Sequence, residues 1–231
     1  MIFLRAHSLR SSLWLAFVGL ASLAPDGRAD EAAAAQTVVE NANQTFTHFI
    51  MDPDMVWFRD NLDKARGLLI VPKLGRGGFI IGGSGGRGLL LGRDSQTGRW
   101  SQPVFYTIGS ASIGLQIGGE LSEVILLILS NKGLDAMLST KAQLGADMSV
   151  AAGPVGTGTR VATADVFSFA RSKGAFAGLT VEGSIITPDG ARNTAYYGKA
   201  VSPLDILIRH SASNPRADEL IKNVTEHTPK R

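Results

Sequence analysis

Two glycine-rich motifs in the middle of the chain are the residues whose types and spacing come nearest to a catalytic or cofactor site. Residues 83–88 fit the dinucleotide-binding pattern G-x-G-x-x-G, and residues 82–86 fit the nucleophile pattern G-x-S-x-G with Ser84 as the nucleophile. Both patterns need a helix directly after the motif. In the dinucleotide-binding pattern the N-terminus of that helix binds the phosphates, and in the nucleophile pattern the serine stands on the sharp turn from a strand into the helix. Here residues 89–93 follow, and they indicate a strand. We therefore predict a glycine-rich hairpin, and a serine hydrolase is only a distant third alternative.

The other residue types offer no catalytic or metal-binding constellation. The 231-residue chain has no cysteine, which excludes disulfide scaffolds, thiolate metal sites and a cysteine nucleophile. The histidines after the first 29 residues, His48, His210 and His227, are scattered and have no local carboxylate pairs. We therefore expect a protein that is not an enzyme, with no catalytic residue, no metal, no cofactor and no nucleic-acid partner.

Charge is segregated along the chain. Residues 30–63 contain seven acidic residues and one basic residue, whereas residues 64–99 contain seven basic residues and one acidic residue. The basic segment is also glycine-rich and apolar, so its charges can form one positive face that attracts an anionic surface. The alternative is that the acidic segment packs against the basic one and cancels its charge. The sequence favours neither alternative.

The first 29 residues have the pattern of a secretory signal peptide. Two arginines precede an apolar run from Leu13 to Leu23, and Gly27 and Ala29 place small residues at the −3 and −1 positions of a cleavage site. A run of about 11 residues is too short to span a bilayer comfortably. We expect cleavage after Ala29 and export to the periplasm or cell envelope; an uncleaved N-terminal anchor is the alternative.

The hydrophobic pattern over residues 30–231 predicts one α+β domain, with a glycine-rich, curved or barrel-like antiparallel β-sheet flanked by N-terminal and C-terminal helices. Apolar residues recur at helical spacing over 30–51, and Asp52 and Pro53 predict the N-cap and first residue of a second helix. Short apolar runs bounded by glycine indicate strands after Gly67. We expect strands over 68–71, 79–81, 89–91, 104–117, 123–129, 144–152, 161–170 and 175–186, turns at 94–98 and 188–190, and helices over 131–139, 193–200, 202–210 and 216–225.

Eight short blocks, taken in order, give a resemblance to a known family. They are residues 64–68 (KARGL), 78–83 (GFIIGG), 100–103 (WSQP), 114–119 (GLQIGG), 144–147 (LGAD), 152–156 (AGPVG), 171–178 (RSKGAFAG) and 196–198 (YYG). Together they resemble the SYLF lipid-binding domain family over about residues 40–210. The sequence departs from the family at Phe169 and Ala170, where the family often has Tyr-Ser, and in a short loop after Gly156.

The resemblance implies a non-enzymatic module that binds anionic phospholipids or a membrane surface. Eukaryotic members prefer phosphoinositides, and yeast-type members also bind actin filaments; an exported protein would meet neither. The matching bacterial members are standalone lipid-binding proteins of the envelope. The alternative, from a different functional class, is a structural or protein-interaction module with an envelope protein as its partner.

The expected membrane site combines a short helix with the basic segment. The resemblance implies that a helix over residues 55–66 contacts the membrane, and Trp57 or Phe58 is its candidate inserted aromatic residue. Core packing is the alternative for Trp57. Trp100 is expected in the core instead. The basic residues that we expect to meet lipid phosphates are Lys64, Arg66, Lys73, Arg76, Arg87 and Arg93.

Overall fold

The structure of the protein, a computed structural model, describes residues 27–78, 81–113, 118–154, 163–172, 175–178 and 181–229. Its α-helices are α1 (Gly27–Met51), α2 (Val56–Asn61), α3 (Asn131–Met137), α4 (Gly190–Tyr197), α5 (Pro203–Leu207) and α6 (Asp218–His227), with 3₁₀ turns at Pro53–Met55, Leu62–Lys64 and Pro215–Ala217. Its strands are β1 (Gly67–Gly78), β2 (Ile81–Gly92), β3 (Val104–Ile113), β4 (Gly118–Ile128), β5 (Ala142–Gln143), β6 (Val150–Ala152), β7 (Val166–Ser172), β8 (Ala175–Gly178) and β9 (Ile185–Pro188).

The nine strands form one curled sheet that resembles half of a barrel. The strand order is β5-β9-β3-β2-β1-β4-β7-β6, and β8 pairs with β7 beyond the end of β6. Neighbouring strands are antiparallel except β6 and β7, which run parallel. The predicted α+β domain, with a barrel-like sheet between N-terminal and C-terminal helices, is confirmed. The sheet is mixed, however, rather than antiparallel throughout.

A separate hydrophobic core covers each face of the central strands. Successive side chains of a strand point to opposite faces, and β1 follows this rule. Leu68 and Ile70 lie in the core beneath α1, α2 and α6, whereas Leu69 and Val71 lie in the core that α3 and α5 cover. The central strands are therefore buried on both faces, which explains why their sequences are nearly continuous apolar runs.

Strand β1 contains one residue more than its neighbours in the middle of its length. Ile70 pairs with Leu89 of β2, but the next paired residues are Lys73 and Arg87, so three steps on β1 match two steps on β2. The pairing of β1 with β4 shifts in the same place. The extra residue forms a β-bulge at Pro72, and a bulge changes the face to which the following side chains point.

Capping interactions confirm the predicted starts of two helices. The Asp52 side chain accepts a hydrogen bond from the backbone N–H of Asp54 at 2.8 Å, directly before the 3₁₀ turn that leads into α2. The Ser202 side chain accepts from the backbone N–H of Asp205 at 3.2 Å, and Asp205 completes a capping box. Proline follows each capping residue, as expected for the first position of a helix.

Several predicted elements differ from the structure. The strand predicted over 144–152 is wrong in its first half, because Leu144 and Met148 are buried in a loop and only Val150–Ala152 is a strand. The turn predicted at 188–190 is also wrong, because Asp189 is the N-cap of α4. In the predicted strand over 79–81, Phe79 and Ile80 lie outside the described residues. The error over 144–152 arose because apolar residues indicate a buried position but do not specify whether the backbone there is a strand or a loop.

Candidate anion-binding site

A groove lies at the end of the sheet where β1 begins and β2 ends. It has a volume of about 580 Å³, and its walls are the 3₁₀ turn after α2, the turn between β2 and β3, and the C-terminal end of α6. The charged residues that line it are Lys64, Arg66, Arg93, Arg99, Asp63 and Asp94. The groove therefore contains four cations and two carboxylates, and we call it the basic groove.

Arg93 has a structural role in the basic groove. Its Nη1 donates to the backbone oxygens of Asp63 at 2.5 Å and Leu62 at 3.4 Å, and its Nε donates to the backbone oxygen of Gly98 at 3.1 Å. The guanidinium carbon lies 5.8 Å from the ring centroid of Trp100. Arg93 thus connects the turn after α2 to the turn after β2, and its charge is held in place at the base of the groove.

The other three cations of the basic groove have no acidic partner in the described part of the chain. No carboxylate oxygen lies within 4.0 Å of the side-chain nitrogens of Lys64, Arg66 or Arg99. Lys64 Nζ donates to the neutral amide oxygen of Asn61 at 2.9 Å. Lys64 and Arg99 are exposed and Arg66 is half-buried, so all three can donate hydrogen bonds to an anion in the groove.

Asp94 folds the turn that presents Arg99. Its Oδ1 accepts hydrogen bonds from the backbone N–H of Thr97 at 2.6 Å, the Thr97 hydroxyl at 2.9 Å and the backbone N–H of Gln96 at 2.9 Å. These bonds, those of Thr97 above all, lower the pKa of the Asp94 carboxyl. The turn was predicted, but Arg99 was not among the predicted site residues. Its place directly after a predicted turn was the available signal.

The structure separates the six predicted basic residues, and five of them line two different cavities. Lys64, Arg66 and Arg93 meet in the basic groove, whereas Lys73 and Arg87 line a smaller pocket of about 290 Å³ beneath α1. Lys73 is seven residues from Arg66, which corresponds to about 20 Å along a strand. The predicted residues therefore do not form one continuous patch.

Arg76 lies still farther along β1 and lines neither cavity. Its backbone pairs with Ser84 of β2 and Glu120 of β4. Among the described residues, no carboxylate of α1 lies within 4.0 Å of Lys73, Arg76 or Arg87. The acidic helix thus packs over this part of the sheet without forming ion pairs to these cations.

The aromatic residues of α2 are more buried than the membrane interpretation expected. Phe58 is fully buried, with its ring centroid 5.3 Å from that of Phe169, so the expected insertion of Phe58 is corrected to a core role. Trp57 is half-buried, with its ring centroid 4.7 Å from that of Phe167. The large hydrophobic residues exposed at this corner are Met51 and Val56, at 73% and 39%, and the sequence interpretation missed both as contact residues. Pro53 and Asp54, which lie between them in sequence, are exposed as well.

Trp100 and Ser84 lie where the sequence predicted. Trp100 is buried, and its Nε1–H donates to the Thr228 hydroxyl at 3.2 Å. Ser84 lies inside β2, its Oγ 2.7 Å from Ser110 Oγ of the neighbouring strand. Because β2 continues to Gly92 rather than turning into a helix, the glycine-rich motifs belong to a hairpin, as predicted.

The described residues contain no group of three or more acidic, histidine or cysteine side chains that could hold a metal ion. Within the same residues, no helix has the length and apolar character needed to cross a bilayer.

Comparison with known proteins finds one matching family model and several similar proteins. The family model Ysc84, described as "Las17-binding protein actin regulator", matches residues 109–227. Protein YSC84 of Saccharomyces cerevisiae is 31% identical over 169 residues, which cover 70% of this chain and 36% of the yeast protein. The SH3 domain-containing YSC84-like protein 1 of Homo sapiens is 28% identical over 184 residues, covering 77% of this chain and 53% of the human protein. The chain thus spans between about a third and a half of these relatives.

Proposed function

The chain belongs to the Ysc84 (SYLF) family, and we propose that it binds the surface of anionic phospholipid bilayers as a non-enzymatic peripheral protein. One observation carries the proposal: Lys64, Arg66 and Arg99 surround one groove and have no acidic partner among the described residues. A cluster of cations that the protein itself leaves uncompensated is favourable beside lipid phosphates and unfavourable beside a neutral surface.

The electrostatic part of this binding is moderate. Each basic residue close to an anionic membrane contributes about 1 kcal/mol, so the three unpaired cations together supply about 3 kcal/mol. Their attraction extends over about 8 Å at physiological ionic strength. Stable attachment of a peripheral protein therefore needs an apolar contribution besides the charges.

Met51, Val56 and Trp57 form an apolar corner that can supply this contribution. Met51 and Val56 are exposed, and half-buried Trp57 packs against Phe167. Val56 is eight residues from Lys64 along α2 and the following turn, which is about 12 Å at helical rise. The apolar corner and the basic groove are thus close enough to contact one bilayer surface together.

Vesicle co-sedimentation tests the proposal. The purified protein should pellet with vesicles of phosphatidylcholine and phosphatidylglycerol at low salt, and should stay in the supernatant with vesicles of phosphatidylcholine alone. Bound protein should decrease as salt rises, because salt screens the cations of the basic groove. Equal pelleting with both vesicles, or none with the anionic vesicles at low salt, would refute an anionic-membrane function.

A protein partner is the second candidate function, and the description "Las17-binding" of the matching family favours it. The relatives are two to three times as long as the matched region, so their partners can bind parts of them outside that region. Under this alternative, the protein would not bind anionic vesicles at low salt and would retain a partner in a pull-down from envelope extract.

We further propose that the protein is exported to the periplasm or cell envelope after cleavage behind Ala29. The support is the signal pattern of residues 1–29, of which residues 1–26 lie outside the described part of the chain. N-terminal sequencing of the protein from its native host should give Asp30 as the first residue. Protein from the soluble cytosolic fraction that begins at Met1 would contradict export.

A further inference from the structure

Lys73 and Arg87 form a second cationic site, separate from the basic groove. The two residues are directly opposite each other on the neighbouring antiparallel strands β1 and β2. Opposed residues of antiparallel strands have their Cα atoms about 5 Å apart, and like charges in this arrangement repel and destabilise the pair. The sheet therefore carries a repulsive pair at its centre, where an anion between the two side chains would remove the repulsion.

The β-bulge at Pro72 is what places Lys73 beside Arg87. Val71 lies in the core on the face away from α1, and simple alternation would point Lys73 to that same face. Because of the extra residue, Leu74 points there instead, and Lys73 lines the pocket beneath α1 together with Arg87. Bulges often redirect a side chain toward a functional site.

The charges around this pair do not balance. Arg87 Nε lies 4.0 Å from Asp189 Oδ2, but Asp189 also accepts from buried Arg192 at 3.0 Å. Arg192 is paired with Glu31 at 2.5 Å as well. Lys73 has no carboxylate within 4.0 Å among the described residues. Three cations thus share two carboxylates, and one positive charge remains uncompensated.

The pocket between these cations has a volume of about 290 Å³, which suits a single compact group. Asn41 of α1 lines it, and its side-chain amide has no hydrogen-bond partner in the described part of the chain. Gly86 forms another wall. An ammonium, a guanidinium with several donors and a free amide together match an oxyanion with several acceptor oxygens, such as phosphate.

We propose that the pocket formed by Lys73, Arg87 and Asn41 binds one phosphate group, either free or at the end of a lipid headgroup. The pocket shares no residue with the basic groove, so this inference does not depend on the membrane function.

Calorimetric titration of the full-length protein with inorganic phosphate, against sodium chloride of matched ionic strength, tests the proposal. The wild type should bind phosphate saturably, and the double variant Lys73→Gln/Arg87→Gln should bind at least about tenfold more weakly, since two charge-assisted hydrogen bonds are lost. Arg76→Gln, on the same strand but outside the pocket, is the matched control and should bind like the wild type. Without phosphate, the double variant should be at least as stable as the wild type, because the repulsion between the two cations is gone.

Vesicles distinguish a free phosphate from a lipid headgroup. If the pocket takes a headgroup, the double variant should lose any preference of the wild type for phosphatidic acid over phosphatidylglycerol. If it takes free phosphate, the double variant should bind both vesicles as the wild type does and still fail to bind inorganic phosphate. Absence of saturable phosphate binding by the wild type, or equal binding by the double variant, would overturn the proposal. A failed membrane function would instead appear as absent vesicle binding with phosphate binding intact.

Discussion

Gly88→Ala should lower the free energy of unfolding by about 3 kcal/mol, a large effect for the addition of one methyl group. A Cβ at position 88 would lie 2.3 Å from the backbone oxygen of Ile70 and 2.8 Å from Val71 Cγ2. The nearer obstacle is backbone, held in the sheet at the bulge of β1, so it cannot rotate away as a side chain would. Urea unfolding followed by tryptophan fluorescence measures the loss as a lower midpoint.

Gly85→Ala is the matched control for this prediction. Position 85 lies in the same strand, but a Cβ there has no atom within 4 Å apart from its chain neighbours. Its backbone does not require a positive φ. We expect Gly85→Ala to change stability by no more than about 0.5 kcal/mol. A Gly88→Ala midpoint equal to that of the wild type would show that β1 and β2 do not approach each other closely at the bulge.

The sequence could predict those parts of the fold that depend on local interactions. Helix starts at Asp52 and Ser202 depend on hydrogen bonds to residues two or three positions away, so local pattern predicted them. The lengths of β1 and β2 were underestimated, because glycine inside a strand usually weakens it. Gly88 is instead needed where the bulge of β1 approaches, a contact between segments that no local pattern contains.

The candidate site, like the fold, was predictable only where its residues are close together in the sequence. Lys64 and Arg66 are neighbours in sequence, but Arg93 and Arg99 join them only through pairing of distant segments, including the hydrogen bond from Arg93 N–H to the Arg66 oxygen at 2.8 Å. Segregation of charge identified the basic segment, yet it could not show that Lys73 lies about 20 Å farther along β1. Sequence spacing therefore predicts the sign of the charge on a surface more readily than the area over which that charge is spread.

The burial of Phe58 follows from ordinary helical spacing. Met55, Phe58 and Leu62 recur three and four positions apart, so they share one face of a helix, and all three are fully buried. Val56 lies off that face and is exposed. The spacing therefore contained a signal for a core position that the membrane interpretation did not use.

Reversing the three unpaired cations of the basic groove should have the largest effect on membrane binding. The triple variant Lys64→Glu/Arg66→Glu/Arg99→Glu loses about 3 kcal/mol of attraction and adds repulsion from lipid phosphates, so its affinity for phosphatidylglycerol-containing vesicles should fall at least about 100-fold. The reversal breaks no ion pair of the described residues, and Arg93 remains in place to connect the two turns. The thermal unfolding midpoint should therefore stay close to that of the wild type.

The matched control carries the same change of net charge elsewhere on the surface. Lys141, Lys199 and Arg216 are exposed, and none of them lines the basic groove. If binding depends on the groove, Lys141→Glu/Lys199→Glu/Arg216→Glu should keep most of the affinity and the salt dependence of the wild type. Equal losses in the two triple variants would mean that net charge alone governs the attraction. Wild-type affinity of the groove variant at every salt concentration would exclude the groove and leave the apolar corner around Met51 and Val56 to account for binding, since salt does not screen apolar contacts.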